Sequence, residues 1–353
     1  MNFASDNTAP VVPEVMAAIE TANRGRMASY GGDEFTARVR ALACEVFETE
    51  LEIFPVATGT AANGLALASL APPFGAVFCH ETAHILLEEC GAPEFYTGGA
   101  KLIGLPGAQG KLVPQGLEQA VALARASGVH HAKPAAVSLT QATEWGTVYR
   151  PDEIGALAAS ARAHGLRVHM DGARLANAVA RLGCRPADIT WRAGIDVLSL
   201  GLTKNGAMAA EAVVVFDPAL AQGLAERRKR AGHLLSKMRF LSAQLLAMLE
   251  EGLWLRHASH ANAMADRLFA GLSAVPGLRL VQPVDANELF VAMPQAMIDA
   301  LLAAGFAFHD WINPPGEAGP VVRLVTSFAT TIDEVDALVD AAGRFLAGGS
   351  ARR

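Results

Sequence analysis

Lys204 follows the apolar run Ile195-Asp196-Val197-Leu198-Ser199-Leu200, within Gly201-Leu202-Thr203-Lys204-Asn205-Gly206. That context puts the lysine on a turn at the end of a buried strand. The apolar flanks, Leu198 to Leu202 and then Gly206-Ala207-Met208, argue against a solvated surface charge. Thirty-three positions earlier a second apolar run ends in an acid, Leu166-Arg167-Val168-His169-Met170-Asp171-Gly172-Ala173-Arg174. A lysine and an acid at successive strand ends suit a pyridoxal 5'-phosphate (PLP) site. The lysine amine condenses with the cofactor aldehyde, and the acid pairs with the pyridinium nitrogen.

A phosphate seat would complete such a site. Thr58-Gly59-Thr60 opens a helix after a strand, where free N–H groups and the helix dipole attract anions. Ordinary capping by threonine is the plainer reading; Lys204 and Asp171 favour phosphate. Asp171, partly buried after Val168-His169-Met170, needs a positive partner, and a protonated pyridinium is one. Arg174 lies three residues beyond it, within reach of the same pocket from a turn. Arg323, in Val321-Val322-Arg323-Leu324-Val325-Thr326, is a charge inside a buried strand. A substrate carboxylate would give it a bidentate partner, with a structural ion pair as the alternative for both arginines. His84, five residues past the strand 76–79, could stack on a cofactor ring or move protons. The plainer reading is a solvent-facing histidine at a helix start.

His80-Glu81-Thr82-Ala83-His84 matches the zinc-hydrolase pattern H-E-x-x-H. That chemistry needs both histidines on one continuous helix. His80 is expected to end a strand, and no third ligand follows at a convincing spacing. Zinc hydrolysis is therefore the remote alternative, and no metal is expected.

The elements that must position these residues read as an α/β chain. Strands are expected at 51–57, 76–79, 101–103, 135–139, 166–170, 195–200 and 212–216. Helices are expected at 10–23, 34–49, 61–70, 84–90, 115–127, 152–164 and 175–182. Buried strands alternating with helices imply a mostly parallel sheet covered on both faces. Ligands bind such sheets at the carboxyl ends of the strands, where Thr58, Asp171 and Lys204 can meet. A long helical stretch is expected over 218–270, then strand–helix–strand–helix over 271–347 and a frayed tail, 348–353. At 353 residues the chain exceeds one usual core. The expected division is a large cofactor domain with an N-terminal arm (1–250) and a small α/β domain (251–353). A net charge of −6 leaves no basic footprint for nucleic acid. Cys44, Cys79, Cys90 and Cys184 lack CxxC spacing and read as free thiols in a reducing compartment. No signal peptide and no membrane span are expected, which makes the default location cytoplasmic.

From residue 2 to about 330 the chain resembles the threonine aldolases of the β-eliminating lyase group. The matching stretches include Ser5-Asp6-Asn7, Tyr30-Gly31-Gly32-Asp33, Thr58-Gly59-Thr60-Ala61-Ala62-Asn63, His84-Ile85 and Glu89-Cys90-Gly91. Further on come Gly146-Thr147-Val148-Tyr149, His169 to Arg174, Thr203-Lys204-Asn205-Gly206 and Val322 to Ser327. The resemblance implies a PLP fold of the aspartate-aminotransferase type (fold type I). The implied reaction is retro-aldol cleavage of L-threonine or L-allo-threonine to glycine and an aldehyde. L-phenylserine cleavage, or another PLP β-eliminating lyase reaction, is the alternative. By the same resemblance Lys204 holds the cofactor, Asp171 its ring nitrogen, Gly59 and Thr60 its phosphate, and His84 its ring face. Arg174 lies against the cofactor and, with Ser5 and Arg323, grips the substrate carboxylate. The family pattern is a homotetramer, or at least a homodimer, with sites at a dimer interface. Tyr30 and the basic stretch Arg227 to Arg239 would then reach a neighbour's site. Two positions depart from the pattern. Ala4 stands where many members have arginine, and Glu144 where many have histidine. For the proton of the β-hydroxyl, His84 or a water it holds is the first choice of base and Glu144 the second.

Overall fold

Seven of the apolar runs pair into one sheet in the computed structural model, which describes residues 1–314 and 316–350. The strands are β1 (Glu52–Val56), β2 (Gly75–His80), β3 (Lys101–Leu105), β4 (Lys133–Thr140), β5 (Arg167–Gly172), β6 (Val197–Gly201) and β7 (Glu211–Val215). Their order is β1-β7-β6-β5-β4-β2-β3. β7 is antiparallel to both its neighbours, and the other pairings are parallel. The carboxyl ends of β1 to β6 therefore share one edge with the amino end of β7.

β2, β6 and β7 are buried along their whole length, because helices cover both faces. Successive residues feed opposite cores, as alternation along a strand requires. Val77 and Cys79 pack with the helix Gly59–Leu70; Ala76 and Phe78 pack with the helices Pro114–Ala126 and Pro151–Ala163. The helix Gly59–Leu70 starts where it does because the Thr58 hydroxyl caps it, accepting the N–H of Ala61 at 3.2 Å.

A second, antiparallel sheet contains β8 (Arg279–Leu280), β9 (Glu288–Ala292), β10 (His309–Trp311) and β11 (Val321–Val325), in the order β10-β11-β9-β8. It packs with the helices Leu253–Ser273, Gln295–Ala303 and Ile332–Ser350. The N-terminal arm joins this sheet. Phe3 donates its N–H to Ala307 at 2.7 Å, accepts from Val325 at 2.8 Å, and is buried.

Several boundaries differ from the expected ones. The stretch 218–270 is divided into the 3-10 turn Pro218–Ala221 and the helices Leu224–Arg230, Arg239–Leu249 and Leu253–Ser273. Gly223 and Gly252, both left-handed, stand at the breaks. The helix expected over 84–90 covers only His84–Leu87, since Cys90 and Gly91 turn left-handed and start the helix Ala92–Thr97. The last helix runs to Ser350 through the tail expected to fray; residues 351–353 lie outside the described ones. No helix among the described residues is long and apolar enough to cross a membrane.

Candidate active site

The shared edge opens into a cleft of about 680 Å³. Ser5, Gly59, Thr60, His84, Glu144, Asp171, Arg174, Lys204 and Arg323 all line it. Asn63, Glu89, Glu211, Glu288 and Trp311 line it as well. A groove of similar size on the helix Pro13–Ala22 carries Glu20 as its one charged residue and lacks any acid–base constellation.

Lys204 sits in the 3-10 turn Thr203–Asn205, just past β6. Gly206 closes that turn at φ +121°, where a Cβ would stand 2.6 Å from Val12. Asp171 lies within β5, one residue before its end, and is 4% exposed. Its Oδ1 accepts the N–H of Ala173 at 3.0 Å and its Oδ2 accepts from the Asn63 amide at 2.8 Å. The first-turn N–H groups of Gly59 and Thr60 have no intrahelical partner. A Cβ on Gly59 would meet only the Glu211 carboxyl, at 4.0 Å, so an anion can approach the backbone closely there.

Asn63 joins two buried acids. Its Nδ2 donates to Asp171 and, also at 2.8 Å, to Oε1 of Glu89. Oε1 of Glu89 also lies 2.9 Å from Nδ1 of His84. This bond to Glu89 raises the His84 pKa, against an opposing effect of burial. Glu144 is tied to the same residue through its backbone. Oε1 of Glu144 accepts the His84 N–H and the Thr140 hydroxyl, each at 2.8 Å, while Oε2 is buried without a partner. Burial pushes the Glu144 carboxyl up to about 7. A proton carrier with a pKa near neutrality suits general acid–base work at physiological pH.

The two arginines differ. Arg174 holds Asp6 through Nε at 2.8 Å and Nη2 at 3.0 Å, with Glu288 at 3.3 Å from Nη1. It is thus part of a buried ion-pair network, the structural alternative weighed for it, although it still faces the cleft. Burial raises the Asp6 pKa, but Arg174 and Lys204 outweigh that effect and hold it below the usual carboxylate range. Arg323 is freer. Nη2 donates to the Ala4 carbonyl at 3.2 Å, the guanidinium lies 4.5 Å from the centre of the Trp311 ring, and Nε is buried without a partner. Glu288 stands 3.8 Å from its Nη1. Ser5 reaches the cleft on the N-terminal arm, its hydroxyl accepting the N–H of Asn7 at 3.1 Å.

Tyr30 lies outside the cleft, half exposed, with Lys229 over its ring at 4.6 Å. The stretch Arg227 to Arg239 is likewise absent from the cleft lining. The zinc alternative does not fit the geometry. His80 ends β2, off the helix of His84, and its ring nitrogens contact the Thr82 hydroxyl at 2.7 Å and the Gly107 carbonyl at 2.9 Å. Among the described residues no cluster of three metal-ligating groups occurs. Asp6, Asn63, Glu89, Glu211 and Glu288 were not singled out as site residues from the sequence. Asp6, Asn63 and Glu89 lie inside the motif stretches that carry the resemblance, but their partners depend on the fold.

Fold and site together define an α/β scaffold with a lysine–acid cleft at the sheet edge. The sequence profile described as beta-eliminating lyase matches residues 2–296. A low specificity L-threonine aldolase of a Pseudomonas species is 48% identical over 89% of this chain and 90% of its own. Its namesake from Pseudomonas aeruginosa is 48% identical over 94% of both chains. Among solved structures, the threonine aldolase of Leishmania major superposes with a TM-score of 0.91 at 30% identity, covering 98% of this chain and 99% of that one. The serine palmitoyltransferase of Sphingomonas wittichii, at 16% identity and TM-score 0.72, shares the fold. The chain belongs to the beta-eliminating lyase family.

Proposed function

We propose that this protein is a PLP-dependent threonine aldolase, cleaving L-threonine and L-allo-threonine to glycine and acetaldehyde. The observation that carries the reading is the convergence of Lys204, Asp171 and the open helix start at Gly59–Thr60 on one cleft. The near-full-length relatives named low specificity L-threonine aldolase support it independently.

The lining residues suit the cofactor by their chemistry. The helix start would take its phosphate, and Asp171, held by Asn63 and the Ala173 N–H, would pair with its ring nitrogen. Bound there, PLP would supply an electron-accepting ring for the pair released when Cα–Cβ breaks. Lys204 anchors the cofactor by its amine. Arg323, with a buried unpartnered Nε, takes the substrate carboxylate, aided by Ser5 and by the cleft-facing side of Arg174. Fixing the carboxylate would set which bond at Cα is oriented for cleavage. His84, or a water it holds, accepts the β-hydroxyl proton; Glu144, bonded to the His84 N–H, is the second carrier.

We also read the chain as a large unit, 1–250, and a small one, 251–353, dividing at the left-handed Gly252. The active form in this reading is a cytoplasmic homotetramer in which Tyr30 and the Arg227–Arg239 stretch face a second copy's cleft. The test is aldehyde release from L-threonine, L-allo-threonine, D-threonine and L-phenylserine with PLP added. Aldehyde with equimolar glycine from the L-isomers is the expected result. Ammonia or keto-acid release without aldehyde would move the function to elimination or transamination.

A further inference from the structure

Glu211 is a buried carboxyl that the reaction above leaves unused. It is the first residue of β7, the strand that runs against its neighbours, so it arrives at the edge where the other strands end. In register it pairs with Val56 of β1 and Gly201 of β6. It therefore lies between the strand that leads into Gly59–Thr60 and the strand that leads to Lys204. Oε1 accepts the Thr203 N–H at 3.3 Å. Oε2 lies between Gly201 and the helix start, 3.0 Å from where a Cβ on Gly201 would stand and 4.0 Å from where a Cβ on Gly59 would stand. The residue lines the cleft and is 7% exposed.

A carboxylate at that place opposes the anion the helix start attracts. A phosphate monoester carries about −1.5 to −2 charge at pH 7, and like charges in one buried site drive one of them neutral. A neutral carboxyl removes the conflict and adds a donor, because a protonated acid has one O–H while a carboxylate only accepts. Burial pushes the Glu211 carboxyl up to about 7, against the Thr203 hydrogen bonds and the pull of Lys204. Lys204 and Asp171 are the charged groups that act on it. The flanking strands and the helix start present Val56, Gly201 and Gly59, none of which titrates; next along β1, Arg228 donates to the Pro55 carbonyl at 3.3 Å and His233 accepts the Ala57 N–H at 3.5 Å.

We propose that Glu211 binds the cofactor phosphate as the neutral acid, so that capture of the cofactor takes up a proton at this residue. The proposal rests on the PLP reading above. Phosphate raises the carboxyl's pKa, so binding is strongest at low pH and weakens as pH rises through the value of the free protein.

The experiment is equilibrium binding of PLP and of pyridoxine 5'-phosphate, which has ring and phosphate but no aldehyde, between pH 6.5 and 9. Wild type is compared with Glu211→Gln, an uncharged near-isostere that keeps an acceptor for Thr203 and offers an N–H donor. For both ligands the wild-type affinity should fall relative to the variant by about tenfold per pH unit above 7. Calorimetry in buffers of different ionisation heat should show wild type taking up about one more proton per ligand than Glu211→Gln at pH 8 to 8.5. Parallel pH profiles with equal proton uptake would overturn the proposal while leaving the cofactor reading intact. Failure of wild type to bind either ligand would overturn both. Should Glu211→Gln not fold, wild type alone decides, since binding of pyridoxine 5'-phosphate, which cannot condense with Lys204, without proton uptake at pH 8.5 excludes the proposal.

Discussion

Replacing Glu144 with glutamine separates titration from hydrogen bonding at the base candidate whose charge burial controls. Oε1 of Glu144 accepts the His84 N–H and the Thr140 hydroxyl, both at 2.8 Å, and a glutamine oxygen can accept both. The amide nitrogen would replace Oε2, which is buried without a partner. An unsatisfied buried donor costs about 1–3 kcal/mol, the upper bound on lost stability. The kinetic effect should be larger. With a carboxyl near 7, roughly half of the residue is ionised at neutral pH. Loss of a positioned proton carrier costs about 10²–10⁴-fold in rate, or about 3–5 kcal/mol in barrier. The assay is kcat/KM for L-threonine from pH 6 to 9, with glycine affinity measured alongside. If Glu144 carries the proton, the limb near pH 7 disappears in Glu144→Gln and glycine binds as before. Full activity with the limb unmoved would exclude Glu144 and leave His84. A parallel loss of glycine binding would show that the substitution damaged the cleft, and the reasoning from conserved hydrogen bonds would fail.

The other expectations concern the anchor, the clamp and the arm. Lys204→Ala should lose both aldehyde release and the borohydride-reducible chromophore of wild type incubated with PLP; turnover without added amine would remove Lys204 from the site. Arg323→Ala should mainly raise KM for amino acids, by about 10–100-fold if it removes a charge-assisted hydrogen bond worth about 1.5–3 kcal/mol; an unchanged KM would take it out of the clamp. Asp6→Ala should cost up to about 3–5 kcal/mol by leaving Arg174 short of a buried partner, and less to the extent that Glu288 compensates. The Asp6 carboxyl is held below its ordinary value, so its contribution is complete above about pH 4 and is lost as pH falls through the depressed folded value. Urea midpoints of wild type and Asp6→Ala should therefore keep a constant gap from pH 7 to about 4 and converge as pH falls further, to about 2; a gap unchanged at the acid end would refute this account of Asp6.

What the linear chain determined was local. The ends of β5 and β6, with Asp171 and Lys204, follow from apolar runs closing at Gly172 and Gly201. The open helix start at Gly59–Thr60 follows from Thr58 capping an Ala/Leu helix directly after β1. Such features are set within a few residues, so they can be read before any fold is known. The breaks in 218–270 were missed because glycines within a helical pattern do not declare which of them will turn left-handed. Arg174 was ambiguous because its partner, Asp6, is 168 positions away and arrives on the N-terminal arm. Asn287 reaches Asp6 across 281 positions. Glu288 comes from the second sheet, and Glu211 arrives because β7 alone reverses direction. Strand direction and long-range pairing are settled by packing two sheets and an arm around common cores, and no local spacing encodes them. The chain by itself thus supplied a lysine, an acid and an open helix start, each at the end of a strand. Tertiary structure decided the charges around them: which arginine is already paired, which carboxyls are held near neutrality by burial, and which acid lies beside the helix start.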